Sequence, residues 1–175
     1  MRRTAWVATL LMLAAAGLAA QEFHPPPVKQ AAGRGTRIGL FGFSVRSGPD
    51  LSHGRQLVLG AGLDGGDLFS SRVRVRPSVE IGVFNGPNTY VASLEALYRF
   101  TTDDETAVPY AGGGFSIAGH DGCGTDAACP ALWANVVVGF ELRYRSTFNW
   151  LFEYHAMDAF RRHRFYFGLT TRRGN

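Results

Sequence analysis

Apolar and polar residues alternate along one segment after another of this chain, and one of the two faces carries charges. The clearest segment runs from residue 72 to residue 84. Its faces are Val73, Val75, Pro77, Val79, Ile81 and Val83 on one side and Arg72, Arg74, Arg76, Ser78, Glu80 and Gly82 on the other. Because successive side chains of a β-strand point to opposite faces, this alternation predicts a two-sided strand. An apolar face toward lipid and a charged face toward an interior would suit a barrel that spans a membrane.

The N-terminal segment has the layout of a secretory signal peptide. Arg2 and Arg3 precede an apolar run over residues 6–20 that ends in small residues. The run is short for a membrane-spanning helix, which needs about 20 apolar residues. We therefore expect residues 1–20 to be removed after export through the Sec pathway. Without them, 16 of the 18 basic residues stand against 14 acidic ones, so charge gives no argument for nucleic-acid binding.

Eight strand-like segments separated by turn residues follow the N-terminal region. Residues 21–35, which include three consecutive prolines, are expected to form a flexible periplasmic lead-in. We predict strands at 36–46, 56–64, 72–84, 89–100, 108–119, 131–144, 148–157 and 162–172. An even number of strands brings both ends of a barrel to one side. The sequence thus predicts one all-β domain over residues 36–172, an eight-stranded antiparallel up-and-down transmembrane β-barrel.

Charges of both signs fall on the predicted inward face of this barrel. We predict a lumen charge network of Arg72, Arg74, Arg76, Glu80, Glu95, Arg99, Glu141, Arg143, Glu153, His155 and Arg164. The mixture would neutralise itself, whereas an unpaired buried charge costs roughly several kcal/mol. Side chains just fill an eight-stranded barrel, so we expect an occluded lumen. The opposite assignment of the faces would give a soluble, lipocalin-like periplasmic barrel that binds a hydrophobic ligand, with Val73, Val75, Val79 and Ile81 inward.

Aromatic residues gather at the strand ends that would face the periplasm. They are Tyr98, Phe100, Tyr110, Tyr144, Phe148 and Trp150. Aromatic belts of this kind are typical of membrane–water interfaces, so they favour lipid on the apolar face.

Two features of the predicted strands anticipate local irregularity. Gly112, Gly113 and Gly114 would permit close approach of neighbouring strands, and no phosphate-loop pattern surrounds them. Pro77 removes a ladder donor, and a proline inside a paired strand usually marks a bulge.

From about residue 36 to residue 172 the chain resembles the small eight-stranded outer-membrane barrels of the OmpA/OmpX-like group. The resemblance lies in Val-Pro-Tyr-Ala-Gly-Gly-Gly at 108–114 and in Arg-Phe-Tyr-Phe-Gly-Leu-Thr at 164–170. It implies an integral protein of the cell outer membrane that contacts membrane lipid and is inserted by the barrel-assembly machinery. We expect a monomer with no cofactor and no nucleic-acid partner.

Cys123 and Cys129 are the two cysteines of the chain, in a glycine-bearing loop. Two cysteines close together in an exported protein favour a disulfide. The alternative is a metal site that adds His120, Asp121 and Asp126.

His155 is the best candidate for a catalytic residue. Its position resembles the place where outer-membrane lipid A deacylases carry a His-x-Ser pair, but here Met157 stands two residues later. Without a hydroxyl nucleophile beside the base, acyl transfer lacks its attacking group. We therefore expect His155 to pair with Glu153 or a lumen arginine, and we predict a non-enzymatic protein with a structural or surface-interaction role. A lipid A-modifying hydrolase is the less favoured alternative.

The start of the last predicted strand is strongly basic. Arg161, Arg162, His163 and Arg164 follow one another. Arginine forks match phosphate geometry, so this segment is a candidate contact for lipopolysaccharide phosphates, with a solvated rim as the alternative.

Overall fold

The structure is a computed structural model that describes residues 36–52, 55–100, 106–125 and 129–171. These residues form eight strands and a short 3-10 helix, Cys123–Thr125. The strands are β1 Arg37–Pro49, β2 Leu57–Leu68, β3 Ser70–Val83, β4 Thr89–Arg99, β5 Ala107–His120, β6 Ala131–Arg143, β7 Phe148–Met157 and β8 Arg162–Thr171. The predicted signal peptide, 1–20, and lead-in, 21–35, lie outside the described residues.

Each strand pairs antiparallel with the next one in sequence, and β8 pairs with β1 to close the barrel. The predicted eight-stranded antiparallel up-and-down barrel is thereby confirmed. We call the end that carries the start of β1 and the end of β8 the terminal end, and the opposite end the loop end. At the terminal end a single residue, Phe69, joins β2 to β3, whereas the β5–β6 connection at the loop end spans 121–130. In the described part of the chain no helix has the length and apolar character needed to cross a bilayer.

The boundaries of the first two strands differ from the prediction. β1 continues through Pro49, beyond the predicted end at residue 46, and β2 continues through Leu68, beyond the predicted end at residue 64. The β2–β3 register shifts between Gly62 and Asp67, opposite Pro77. Because proline has no N–H to donate, an extra residue in β2 takes up the irregularity as a bulge.

The two faces of the barrel differ in polarity all the way round. On the outward face, Leu94 and Ile117 are each 58% exposed. Their inward neighbours Glu95 and Ser116 are each 1% exposed. Water-soluble proteins bury apolar side chains and rarely bury charged ones, so this barrel has the inverse arrangement.

Most of the predicted aromatic belt lies on the outer surface near the terminal end. Tyr98, Phe100 and Tyr144 are exposed there, and Phe148 and Trp150 are partly exposed. Tyr110 is different, because it is buried in the lumen. It follows Pro109, which points outward, so strand alternation turns the Tyr110 ring inward.

Candidate functional site

The interior of the barrel holds a network of charged side chains from several strands. In β3, β4, β6 and β7 the charged residues of the interior occupy inward positions of the alternation, and the apolar residues between them face outward. Closure of the barrel then brings side chains that are far apart in sequence together across the lumen.

Glu80 of β3 accepts hydrogen bonds from three side chains that lie on two other strands. Arg46 of β1 donates from Nη2 to Glu80 Oε1 at 2.7 Å. Arg164 Nη1 and the Tyr166 hydroxyl, both from β8, donate to Glu80 Oε2 at 2.6 and 2.7 Å. Arg164 also donates from Nε to Asp50 Oδ2 at 2.8 Å, which carries the network to the loop end.

Glu153 of β7 is the second acceptor at the centre of the network. Arg46 donates from Nη1 to Glu153 Oε2 at 2.6 Å. Arg76 and the Tyr110 hydroxyl donate to Glu153 Oε1. Arg76 also donates from Nε to Glu95 Oε2 at 2.9 Å. These bonds connect β1, β3, β4, β5 and β7 across the lumen through charge-assisted hydrogen bonds, the stronger class.

His155 is completely buried between two carboxylates of this network. Its Nε2 lies 3.0 Å from Glu153 Oε2, and its Nδ1 lies 3.7 Å from Glu95 Oε1. Its ring meets the Tyr166 ring edge-on, with centroids 4.9 Å apart. His155 is therefore a member of the network and faces away from the outer surface of the barrel.

A second group of charges lies nearer the terminal end. Arg74 Nε lies 3.3 Å from Asp64 Oδ2, and Arg99 Nη2 lies 3.5 Å from Glu141 Oε2. Asn149 donates from Nδ2 to Glu141 Oε2 at 3.0 Å. These contacts are looser than those at the centre, and their side chains retain some solvent exposure.

Apolar side chains fill the lumen beside the charges. Leu97, Tyr110, Val137 and Leu151 form one buried cluster. Val91, Ala118 and Met157 form another toward the loop end, with Trp133 packed against it. Charged and apolar side chains together occupy the interior, as expected for a barrel of this size.

The structure brings nine of the predicted network residues into the lumen. They are Arg74, Arg76, Glu80, Glu95, Arg99, Glu141, Glu153, His155 and Arg164. The placement of Arg72 and Arg143 needs correction, because both are exposed at the rim of the terminal end. They lie near strand ends, where the wall of the barrel no longer encloses an inward side chain.

The predicted set lacked several of the residues that contact the network, among them Arg46, Asp50, Asp64, Tyr110 and Tyr166. Arg46 continues the alternation of Ser44 in β1 and could have been found from that pattern. The roles of Tyr110 and Asp50 depend on partners in distant strands, which periodicity does not reveal.

Asp50 lies just beyond β1, at the loop end. Its Oδ1 accepts a hydrogen bond from the Ser52 backbone N–H at 2.9 Å, and its Oδ2 accepts the bond from Arg164. Burial favours the neutral acid, but the bonds from Ser52 and the charge of Arg164 outweigh it and hold the pKa of the Asp50 carboxyl below its ordinary value.

Cys123 and Cys129 form a disulfide in the β5–β6 loop. The His120 backbone N–H donates to Cys123 Sγ at 3.2 Å. The disulfide occupies both sulfur atoms that the alternative metal site would require as thiolates. Asp126, one of the two acids of that alternative, lies outside the described residues.

The basic segment at the start of β8 is divided between two environments. Arg161 is exposed. Arg162 is partly exposed, and its guanidinium carbon lies 4.7 Å from the centroid of the Trp133 ring. His163 contacts the Tyr154 hydroxyl at 2.7 Å. Arg164 is fully buried, which corrects its assignment to a phosphate-binding rim.

No protein-family model and no curated protein matches the sequence. Solved structures do show a similar fold. The N-terminal β-barrel domain of Pseudomonas aeruginosa OprF has a TM-score of 0.56 at 13% identity, over 76% of this chain and 98% of that domain. Neisserial surface protein A has a TM-score of 0.52 at 11% identity, over 75% of this chain and 94% of the other. The de novo designed TMB2.3 has a TM-score of 0.54 at 14% identity, over 78% and 98%. The chain therefore has the fold of the small outer-membrane β-barrels.

Proposed function

We propose that this protein is a non-enzymatic integral outer-membrane β-barrel with an occluded, charge-lined lumen and a structural or surface-interaction role. The observation that carries the proposal is the inverted polarity of a closed barrel. Large apolar side chains remain exposed around the wall, with Val79 at 60% and Phe115 at 67%, while ion pairs are buried inside. A continuous apolar exterior of this kind needs an apolar solvent, and in the closed barrel each described strand pairs with two neighbours, as a membrane-spanning sheet requires.

The soluble lipocalin-like alternative requires the opposite orientation of the strands. Val79 would have to line the interior, and Arg74 and Arg76 would have to meet water. In this barrel Val79 faces outward, while both arginines are buried. A hydrophobic ligand would thus meet a lumen of ion pairs, which is a poor environment for it.

The position of His155 supports a non-enzymatic role. An enzyme of the outer leaflet must present its base and nucleophile where lipid can reach them. His155 is buried among Glu153, Glu95 and Tyr166, and Met157 stands where the hydrolase motif would place serine. Its contacts are those of a structural member of the network.

Folding in detergent is the experiment that tests the proposed function. Residues 21–175 are refolded into neutral micelles, and boiled and unboiled samples are compared on a denaturing gel. We expect the unboiled band to run faster and to give a strand-type circular dichroism spectrum. Folding in plain buffer without detergent would overturn the membrane proposal.

As a test of occlusion, the refolded protein should produce no resolved current steps in a planar lipid bilayer, and regular steps would contradict an occluded lumen.

The loop end is the proposed contact for lipopolysaccharide. Arg161 is exposed there, and Arg162 is partly exposed beside Trp133. Guanidinium groups pair well with phosphate. Replacing Arg161 and Arg162 with serine should weaken lipopolysaccharide binding to the refolded barrel, and unchanged binding would contradict this contact.

The proposal also includes export through the Sec pathway, insertion by the barrel-assembly machinery and a monomeric state.

A further inference from the structure

Four exposed arginines surround the terminal end of the barrel. Arg37 begins β1, Arg72 lies near the start of β3, Arg143 ends β6, and Arg145 lies in the turn between β6 and β7. These positions are distributed around the barrel rather than along one strand. The four side chains therefore form a rim of positive charge at this end.

Three of these arginines each lie against an aromatic side chain. The guanidinium carbon of Arg37 is 5.5 Å from the centroid of the Phe41 ring, and that of Arg145 is 5.3 Å from the centroid of the Tyr144 ring. Arg72 donates from Nη1 to the Tyr98 hydroxyl at 3.4 Å. Tyr98 and Tyr144 belong to the exposed aromatic belt.

The aromatic partners indicate the depth at which the guanidinium groups lie. Tyrosine and tryptophan rings at the ends of membrane-spanning segments sit at the level of the lipid headgroups. A guanidinium held against such a ring therefore lies at the same level, among the phosphates. Its planar fork can donate two hydrogen bonds to one phosphate, which a lysine ammonium cannot do with the same geometry.

The acidic residues described at this end do not neutralise the rim. Asp64, Asp67 and Glu141 are turned into the barrel. Among the residues that the structure describes, no carboxylate lies within ion-pair distance of the four arginines. Asp103, Asp104 and Glu105 lie between β4 and β5 in the sequence, outside those residues. At the loop end, by contrast, the arginine beside an aromatic ring, Arg162, lies 3.9 Å from Asp50.

We infer that the rim formed by Arg37, Arg72, Arg143 and Arg145 binds the phosphates of anionic glycerophospholipids in the leaflet next to the terminal end. This inference rests on the proposed placement of the barrel in a membrane. It commits to lipid rather than to a soluble anion, because aromatic partners hold three of the four guanidinium groups at the edge of the apolar wall. It differs from the lipopolysaccharide contact, which lies at the opposite end.

The test measures lipid retention by the full mature chain in neutral micelles. Phosphatidylglycerol and phosphatidylcholine with identical acyl chains are added in equal amounts, and the lipid bound to each barrel is quantified by native mass spectrometry. The variant pair Arg72→Ser and Arg145→Ser removes two charges from the rim. The matched control is Arg55→Ser, which removes one exposed charge from the loop end and is compared with each single rim substitution. Heat-modifiability on a gel verifies that all proteins are folded.

We expect the wild type to prefer phosphatidylglycerol by at least about fivefold, the effect of roughly one basic residue near a membrane surface. The rim variant should lose this preference, and the loop-end control should keep it. The preference should also disappear in 1 M salt, where the screening length falls to about 3 Å.

Three results would overturn the inference. One is an unchanged preference in the rim variant, and another is an equal loss in both variants, which would point to net charge alone. The third is competition by soluble glycerophosphate as strong as that by phosphatidylglycerol, which would indicate a soluble-anion site. If the barrel folds in detergent but shows no lipid preference, only this inference is overturned. If the chain folds without detergent, the membrane proposal itself is overturned.

Discussion

At the scale of single residues, glycines determine how closely neighbouring strands of the barrel approach. A Cβ atom placed on Gly114 of β5 would lie 2.0 Å from the Leu94 carbonyl oxygen of β4. The obstacle is backbone, so it cannot swing aside as a flexible side chain would. The glycine run at 112–114 thus serves strand packing, as its sequence context indicated.

Gly114→Ala should therefore destabilise the barrel. Overpacking of this kind costs roughly 1–3 kcal/mol, because the β4 and β5 backbones must separate. We expect the temperature at which the folded gel band disappears to fall. Gly124→Ala is the matched control, since a Cβ at Gly124 meets nothing within 4 Å. Equal unfolding temperatures for the two variants would contradict this account of the close approach.

Asp50 predicts a pH dependence at the same scale. Its pKa is lowered in the folded protein, chiefly because the bonds from Ser52 and Arg164 outweigh the effect of burial. The stabilisation is then fully present above the unfolded pKa of about 3.9 and is lost as the pH falls through the lower folded value. The Asp50→Asn variant lacks this pH-dependent contribution to the free energy of unfolding. The difference in unfolding temperature between wild type and variant should thus be largest near pH 6 and close toward pH 2, and a difference independent of pH would refute the assignment.

At the scale of elements, the seam between β1 and β8 has the shortest ladder among the described strands, so we expect it to be the first part of the wall to open. This ladder runs from Ser44 to Ser47 on β1, with one isolated bridge between Asp50 and Arg164 beyond it, whereas the β5–β6 ladder extends over almost the whole length of both strands. Side chains reinforce the seam from inside. Arg164 of β8 pairs with Asp50 beyond β1, and the Arg46 guanidinium carbon lies 5.0 Å from the centroid of the Tyr166 ring.

Arg164→Met should open this seam preferentially. The substitution removes the charge and leaves Asp50 and Glu80 without one of their donors, at a cost of about 3–5 kcal/mol for a broken buried pair. Amide hydrogen exchange should accelerate first in β1 and β8, while β5 and β6 stay protected. Arg161→Met, at an exposed position, is the control and should leave exchange unchanged. Uniform acceleration in all eight strands would show that the seam is not a separate weak point.

The alternation of side chains made the eight strands and their inward faces predictable, because both follow from local geometry. The bulge opposite Pro77 was anticipated as an irregularity, but its location in β2 depends on the partner strand. The pairing of Tyr110 with Glu153 was not predictable for the same reason. Only closure of the barrel brings β5 and β7 side chains together at one level, and the sequence period carries no information about that level.

At the scale of the whole molecule, the lumen network connects strands across the barrel, so we expect the wall and the interior to unfold as one cooperative unit. Glu153 alone accepts bonds from Arg46, Arg76 and Tyr110 and contacts His155, so it connects strands on opposite sides of the barrel. Each strand is therefore stabilised by hydrogen bonds that form only when the other strands are in place. A buried polar network rigidifies a core where its members are bonded. Here both carboxylate oxygens of Glu80 and of Glu153 accept hydrogen bonds, whereas Arg46 Nε and His155 Nδ1 have no hydrogen-bond partner among the described residues.

Glu153→Gln should consequently destabilise the entire barrel rather than one strand. The amide cannot neutralise Arg46 and Arg76, and both would remain buried with reduced compensation, at a cost of about 3–5 kcal/mol. Glu141→Gln is the matched comparison, because Glu141 is also inward but has looser contacts near the rim, with Arg99 at 3.5 Å. We expect a large fall in unfolding temperature for Glu153→Gln, a single cooperative transition in both variants, and a much smaller fall for Glu141→Gln. Equal falls would mean that the buried centre contributes no more than the rim, and that the apolar wall alone holds the barrel together.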